Sequence, residues 1–388
     1  MKNRKLLMIP GPIEFTPEVM RAMAMPTTSH VAPAFVECMG EAIERTREVF
    51  LSPGGQPFIV AGSGTMAMDM AACNVIEPGD TALVVNTGYF SDRFGVILER
   101  YGARVTHVKT PAIGDAPSLD EVEAEIKKGD YKVLTVTHVD TSTAVLTDIK
   151  GLAGLCRKYG ILSIVDGVCS VAGEELRQGE WGVDIVLTAC QKAVGVPPGL
   201  ALLVASPKAI EVFKNRRTPV GSYYSDWANW LPIMESYENR KAAYFGTQAV
   251  NLVWALNVSL EQILAEGMDT RFARHRLMSK AFKAAMTALG LKQIPVSEGK
   301  AANTLSAPYF PEGITGSVLP LIAQAGVILA GGLHAEIREK YFRVGHMGVV
   351  SASDILATVG AIEAGLAKAG YKFEHGEGLA AAQAVLLQ

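Results

Sequence analysis

The chain reads as an α/β protein with a mostly parallel sheet covered by helices on both faces, followed by a smaller α+β domain. Two observations predict this. Between residues 57 and 205, short apolar runs rich in β-branched residues alternate with amphipathic stretches of helical length, the pattern of a sheet buried on both faces by crossover helices. Past about residue 245 that alternation gives way to long helical stretches mixed with short strand-like runs.

In chain order, residues 81–85, 133–137, 161–165, 184–188 and 200–204 read as buried strands, and residues 57–61 as an apolar run ahead of a helix start. Residues 91–101, 118–128 and 148–159 carry the helical period between them. The link from residue 187 to 200 is too short for a helical crossover, so the last strand is expected to run antiparallel. Residues 251–266 and 270–289 read as long helices. Strand-like runs follow at 304–309, 327–329 and 341–344, and a further helix near 354–369. The tail from His375 is open, with a helical reading for 379–387. The expected division is an N-terminal arm (1–22), a large domain (23–260) and a small domain (261–388). A chain of 388 residues suits two cores better than one.

Composition narrows the function. About half of the residues are hydrophobic, a fifth are charged, and the net charge is −3 with both signs scattered, so nothing marks a nucleic-acid or membrane-surface binder. No run of about 20 apolar residues suggests a membrane span. Pro10 and Pro12 interrupt the basic N-terminal segment too early for a signal peptide. Five scattered cysteines without a CxxC pair read as free thiols of a cytoplasmic protein, and no metal is expected.

The chemistry lies after the strands, since open α/β sheets bind ligands beyond their carboxyl ends. Asp166 closes one strand-like run and Lys192 follows the next. His138, Asp140, Thr141 and Ser142 follow a third, and Tyr89, Phe90 and Ser91 a fourth. A lysine and an aspartate on one edge suggest pyridoxal 5'-phosphate: its aldehyde takes an amine as a Schiff base, and its pyridine nitrogen needs a carboxylate to stay protonated. Gly62-Ser63-Gly64-Thr65 opens a helix after an apolar run, where backbone N–H groups and hydroxyls bind phosphate. It lacks the Gly-Lys-Ser/Thr of a nucleotide-binding P-loop, and the chain has no Gly-x-Gly-x-x-Gly after its first strand. Arg343, between apolar residues and glycines, offers a fork for a substrate carboxylate. Each of these also has a plain structural reading: a snorkelling lysine, a turn aspartate, an ordinary glycine turn, an arginine on an exposed strand face.

Ordered blocks along the chain settle the choice. They include Met8-Ile-Pro-Gly-Pro12, Gln56 to Thr65, Gly88-Tyr-Phe-Ser-Asp-Arg-Phe94, Thr137 to Leu146, Val165-Asp-Gly-Val-Cys-Ser170, Glu180-Trp-Gly-Val-Asp184, Gln191-Lys192-Ala193, Ala243-Tyr-Phe-Gly-Thr247, Ala330-Gly-Gly332 and Phe342-Arg-Val-Gly-His-Met-Gly348. With them, the chain from Leu6 to about Ala369 resembles the class V, fold type I pyridoxal-phosphate aminotransferases, most of all the alanine–glyoxylate and serine–pyruvate types. The resemblance implies a seven-stranded, mostly parallel sheet and a homodimer with shared active sites. It implies that Lys192 holds the cofactor and moves the substrate proton, and that Asp166 pairs with the pyridinium nitrogen. Ser63, Gly64 and Thr65 would bind phosphate beside Gln191, and Thr141 or Ser142 the ring hydroxyl. Phe90 and Val168 would pack the two ring faces. Tyr244 and Thr247 would reach the neighbouring subunit's phosphate, while Gly11 and Arg343 would meet the substrate. Thr65 departs from the mammalian pattern, which has histidine there, and Phe90 stands where mammalian members have tryptophan. The implied reaction moves an amino group from alanine, or from serine, to glyoxylate in two half-reactions. The rival readings are a lyase or cysteine desulfurase on the same fold and a cofactor-binding subunit without turnover.

Overall fold

A computed structural model describes residues 4–388; the first three residues of the expected N-terminal arm lie outside it. The large sheet has seven strands: β1 (Gln56–Ala61), β2 (Thr81–Val85), β3 (Arg104–Val108), β4 (Val133–Thr137), β5 (Leu162–Asp166), β6 (Ile185–Ala189) and β7 (Leu200–Ala205), in the order β1-β7-β6-β5-β4-β2-β3. The pairs β2–β3, β2–β4, β4–β5 and β5–β6 are parallel, and β7 is antiparallel to both neighbours. Because β1 and β6 each oppose β7, they point the same way. The carboxyl ends of β1, β2, β4, β5 and β6 therefore share one edge of the sheet.

Strands β4, β5 and β6 are buried along their whole length, as their unbroken apolar sequences require. Each fully buried aliphatic side chain there contributes about 1.5–3 kcal/mol. Strand β3 was not foreseen. Its sequence, Arg-Val-Thr-His-Val, is largely half-buried or exposed. It is an edge strand, covered poorly enough to tolerate polar residues, so no continuous apolar run announces it.

Three helices set the site. Helix α1 (Gly64–Val75) follows β1, α2 (Tyr89–Arg100) follows β2, and α3 (Ile149–Tyr159) crosses from β4 to β5. Asp148 caps α3 by accepting from Gly151 N, and Gly160 ends it in the left-handed conformation. Helices α4 (Val250–Glu266) and α5 (Met268–Ala288) lead to the C-terminal region. That region holds the short strand β8 (Phe342–Gly345), which pairs antiparallel with Ala330–Gly331 and Leu305–Ser306, and then α6 (Ala352–Lys368). A terminal helix at Glu377–Leu386 answers the open reading of the tail.

Hydrophobic packing forms two cores. The first fills both faces of the large sheet. The second joins Met278, Phe282 and Met286 of α5 to Phe342, Val344, Ile355, Val359 and Ile362. The division expected near residue 260 falls within α4, whose side chains pack in the first core as far as Ile263. Strand β8 straddles the two cores. Phe342 and Val344 face the second, and Tyr341, just before the strand, joins the first. Strand alternation then turns Arg343 away from the second core and toward the large sheet. No described helix is long and apolar enough to cross a membrane.

Candidate active site

Asp166 is the last residue of β5 and is buried. Its Oδ1 accepts a hydrogen bond from Val168 N at 2.9 Å. Burial pushes its carboxyl up to about 7, reinforced by the neighbouring carboxylate of Asp140 and opposed by Val168 N–H and the charges of Lys192 and Arg93. A carboxylate this uncomfortable alone gains from a cation, and a protonated ring nitrogen is one.

Lys192 stands past the end of β6 and is half-buried. Its Nζ donates to Pro10 O. The N-terminal segment is laid against it: Ile13 N donates to Gln191 O at 3.2 Å. A Cβ on Gly11 would come within 2.5 Å of Lys192 Cδ and 2.7 Å of Nζ, and Gly11 has φ +107°. Only glycine satisfies both the conformation and the approach.

The turn after β1 is held by Gly62 N donating to Gly199 O at 2.9 Å. Ser63 opens α1 but makes no side-chain cap bond, so the first-turn N–H groups remain available to an anion. A Cβ on Gly64 would sit 2.8 Å from Val168 Cγ2, so the helix start packs tightly on the loop that follows Asp166. Gln191 Oε1 is buried without a partner among the described residues. An uncapped helix start, a partnerless amide oxygen and a destabilised carboxylate, gathered around a lysine, fit pyridoxal phosphate.

Phe90 lies in the first turn of α2, half-buried, with its N–H directed at Asp140 Oδ2 at 3.3 Å. Asp140 is fully buried, and desolvation raises its carboxyl pKa against the hydrogen bonds it accepts from Ser142 and the start of α2. Ser142 Oγ donates to Asp140 at 2.6 Å and accepts from Tyr89 N at 3.1 Å. A Cβ on Gly88 would strike both Ser142 Oγ and the Asp140 carboxyl, at 2.5 and 2.9 Å. Ser142's hydroxyl is thus spent on holding the start of α2, whereas that of Thr141 meets only Cys169 Sγ, at 2.8 Å.

Arg343 Nε donates to Gly331 O at 2.8 Å and Nη1 to Thr141 O at 3.4 Å, so the small-domain strand is tied to the loop after β4. Burial lowers its pKa, yet a guanidinium stays charged. Beside it, Tyr341 Oη donates to Ser142 O and accepts from Leu333 N and His334 N. Tyr244 and Thr247 stand apart on an exposed segment; Tyr244 is 65% exposed, with its ring 5.2 Å from that of His30.

Sequence reasoning missed Arg93 and gave Asp140 no role. Arg93 Nη1 donates to Thr65 Oγ1 at 2.9 Å and Nη2 to Tyr89 Oη at 3.2 Å, with the guanidinium 5.0 Å from the ring centres of both Tyr89 and Phe90. Its spacing of four and three from those aromatics was the available signal. The other histidines near the site belong to the packing. His346 lies between Ser306 Oγ and Asn303 O, at 2.9 Å each, and burial presses it down to about 3. His138 is likewise pressed to about 3 by burial. All five cysteines are free and buried.

This sheet edge, with its lysine, aspartate and anion-ready helix start, defines a pyridoxal-phosphate enzyme of fold type I. Residues 18–376 match the family "Aminotransferase class-V", and the chain belongs to it: a pyridoxal-phosphate-dependent aminotransferase. It is 40% identical over 365 residues to alanine–glyoxylate aminotransferase 1 of Saccharomyces cerevisiae, covering 91% of this chain and 94% of that one. It is 32% identical to L-aspartate–glyoxylate aminotransferase of Paracoccus denitrificans, covering 99% and 96%. The ureidoglycine–glyoxylate aminotransferase structure of Bacillus subtilis superposes with a TM-score of 0.93 at 29% identity, covering 100% of this chain and 99% of that one.

Proposed function

We propose that the enzyme moves the amino group of L-alanine to glyoxylate, giving pyruvate and glycine, within a homodimer. Pyridoxal phosphate, when bound, supplies an electrophilic aldehyde and a ring that accepts the electron pair of the broken Cα–H bond. Lys192 Nζ holds the cofactor and, once freed by the amino donor, carries the substrate Cα proton. Asp166 holds the proton on the ring nitrogen. Ser63, Gly64 and Thr65 receive the phosphate beside Gln191. Thr141 serves the ring hydroxyl better than Ser142, whose hydroxyl is occupied. Phe90 and Val168 flank the ring, and Arg343 takes the substrate carboxylate bidentately. Tyr244 and Thr247 complete the phosphate corner of the other subunit.

The observation that carries the choice of donor is the 40% identity, over 91% of this chain, to the yeast enzyme named alanine–glyoxylate aminotransferase 1. Pro10 and Gly11 lay bare backbone against the Lys192 amine, so this wall of the slot carries no side chain. A dicarboxylic donor would call for a second cation on the substrate side, and Arg93 is directed instead at the Ser63–Thr65 corner through Thr65 Oγ1.

The test is an absorbance spectrum of the purified holoenzyme. L-alanine should bleach the visible band of the bound cofactor, and glyoxylate should restore it. Bleaching by serine or aspartate but not alanine would overturn the donor and keep the mechanism. A band that no amino acid bleaches would overturn the transaminase reading of this site.

A further inference from the structure

A phosphate dianion held by backbone N–H groups and neutral hydroxyls still lacks a counter-charge. Lys192 cannot supply one while its amine is engaged with the cofactor's aldehyde. The start of α1 offers N–H groups and the exposed hydroxyls of Ser63 and Thr65, all neutral. One side chain brings a full positive charge to this corner. Arg93 reaches across from α2 to place Nη1 2.9 Å from Thr65 Oγ1. Its guanidinium is steadied from both sides, by Tyr89 Oη at 3.2 Å and by the faces of Tyr89 and Phe90 at 5.0 Å. It makes no ion pair with any carboxylate among the described residues: its two side-chain hydrogen bonds go to hydroxyls. A half-buried arginine held by aromatic rings, aimed at a helix start and lacking an anion, is arranged to receive one. Its charge is also felt at Asp166, which puts it within electrostatic reach of the cofactor slot.

We propose that Arg93 is a phosphate-binding residue of the cofactor site, supplying the cation that the Ser63–Thr65 corner otherwise lacks. The placement also accounts for Thr65. Its hydroxyl accepts from the guanidinium and so aims it at the turn. Arg93 thereby links the two halves of the slot, with its terminal nitrogens at the phosphate corner and its stem and plane against Phe90 on the ring side. The inference rests on the reading of Ser63–Thr65 as the phosphate corner and is independent of the amino donor.

The test compares the affinities of the apoenzyme for pyridoxal 5'-phosphate and for pyridoxal, which lacks only the phosphate. In Arg93→Gln the phosphorylated ligand should bind about 10- to 100-fold more weakly, the loss expected for a hydrogen bond to a charged group, while pyridoxal binding stays nearly unchanged. Arg93→Lys, which keeps the charge, should recover much of that loss. Equal weakening of both ligands would mean that Arg93 only props the Phe90 ring, and would overturn the proposal; so would unchanged binding of the phosphorylated ligand. Thr65→Ala separates the two layers. If it lowers the preference for the phosphorylated ligand and Arg93→Gln does not, only the arginine assignment fails. If neither variant changes the preference, the phosphate corner itself is misassigned.

Discussion

The slot around Lys192 and Asp166 and the aromatic belt at residues 222–247 adjoin each other, for Tyr224 Oη donates to Ala61 O, at the end of β1, at 3.3 Å. They differ in how far the chain completes them alone. In the slot, Gly11 fits the lysine, Gly64 fits Val168, Gly88 fits Asp140, and Asp140 is satisfied by its own loop and by α2. In the belt, Trp230 is buried and packs edge-on against Phe245 at 5.0 Å, yet Tyr223 is 80% exposed and Tyr244 65%. Two tyrosines held outward on an ordered segment form the kind of apolar surface that a soluble chain covers with a partner. One region is organised from within, and the other leaves two tyrosines uncovered by its own chain.

The largest effect that separates them is chemical. Lys192→Ala should lower turnover by roughly two to four orders of magnitude, the range of a lost proton-transferring group, and leave the fold and the association state intact. Single-turnover absorbance with L-alanine checks it. Comparable loss from an aromatic-belt variant, with Lys192 variants remaining active, would break the contrast.

Asp166 gives an effect of intermediate size, visible in stability rather than rate. Its folded-state pKa is raised from the usual 3.8 to about 7, so between those values the folded apoenzyme binds more protons than the unfolded chain. Stability associated with this group is fully present below about pH 4 and is lost as pH rises through about 7. The difference corresponds to on the order of 4 kcal/mol. Asp166→Asn, which keeps an acceptor for Val168 N, should therefore stabilise the apoenzyme at pH 8 and make little difference at pH 4. Denaturant titrations at the two values measure this. A variant equally or less stable at pH 8 would mean that the apoenzyme does not confine Asp166 as an uncompensated charge.

The same contrast explains what the sequence could reveal. The fold was legible because β4, β5 and β6 are buried on both faces and written as unbroken apolar runs, and edge strand β3 was not, for the opposite reason. Lys192 and Asp166 were legible because each ends or follows such a run, and Arg343 because a charge between Phe342 and Val344 breaks one. Arg93 was marked only by its spacing from Tyr89 and Phe90. On α2 it reads as an ordinary surface cation, and only the turn after β1, folded beside it, gives it Thr65 as a neighbour. Asp140 was likewise read as one of several polar loop residues. Its importance comes from contacts with Phe90 N and Ser142, and the first of these joins residues 50 positions apart in sequence.

The smallest effect probes the belt itself. Among the described residues, no hydrogen bond ties the Tyr244 hydroxyl to its own chain's phosphate corner; its ring lies tilted against His30 and otherwise faces outward. If its partner is the phosphate site of a second subunit, Tyr244→Phe removes one hydrogen bond there and should weaken pyridoxal-phosphate binding by about tenfold, with pyridoxal affected less. Because that contact exists only in the assembled dimer, cofactor affinity should rise with protein concentration, and dilution should mimic the substitution. Sedimentation at matched concentrations, read alongside cofactor titration, ties the two observables together. Full cofactor affinity in a monomer, unchanged by Tyr244→Phe, would mean that the slot is complete within one chain and that the exposed tyrosines serve some other contact.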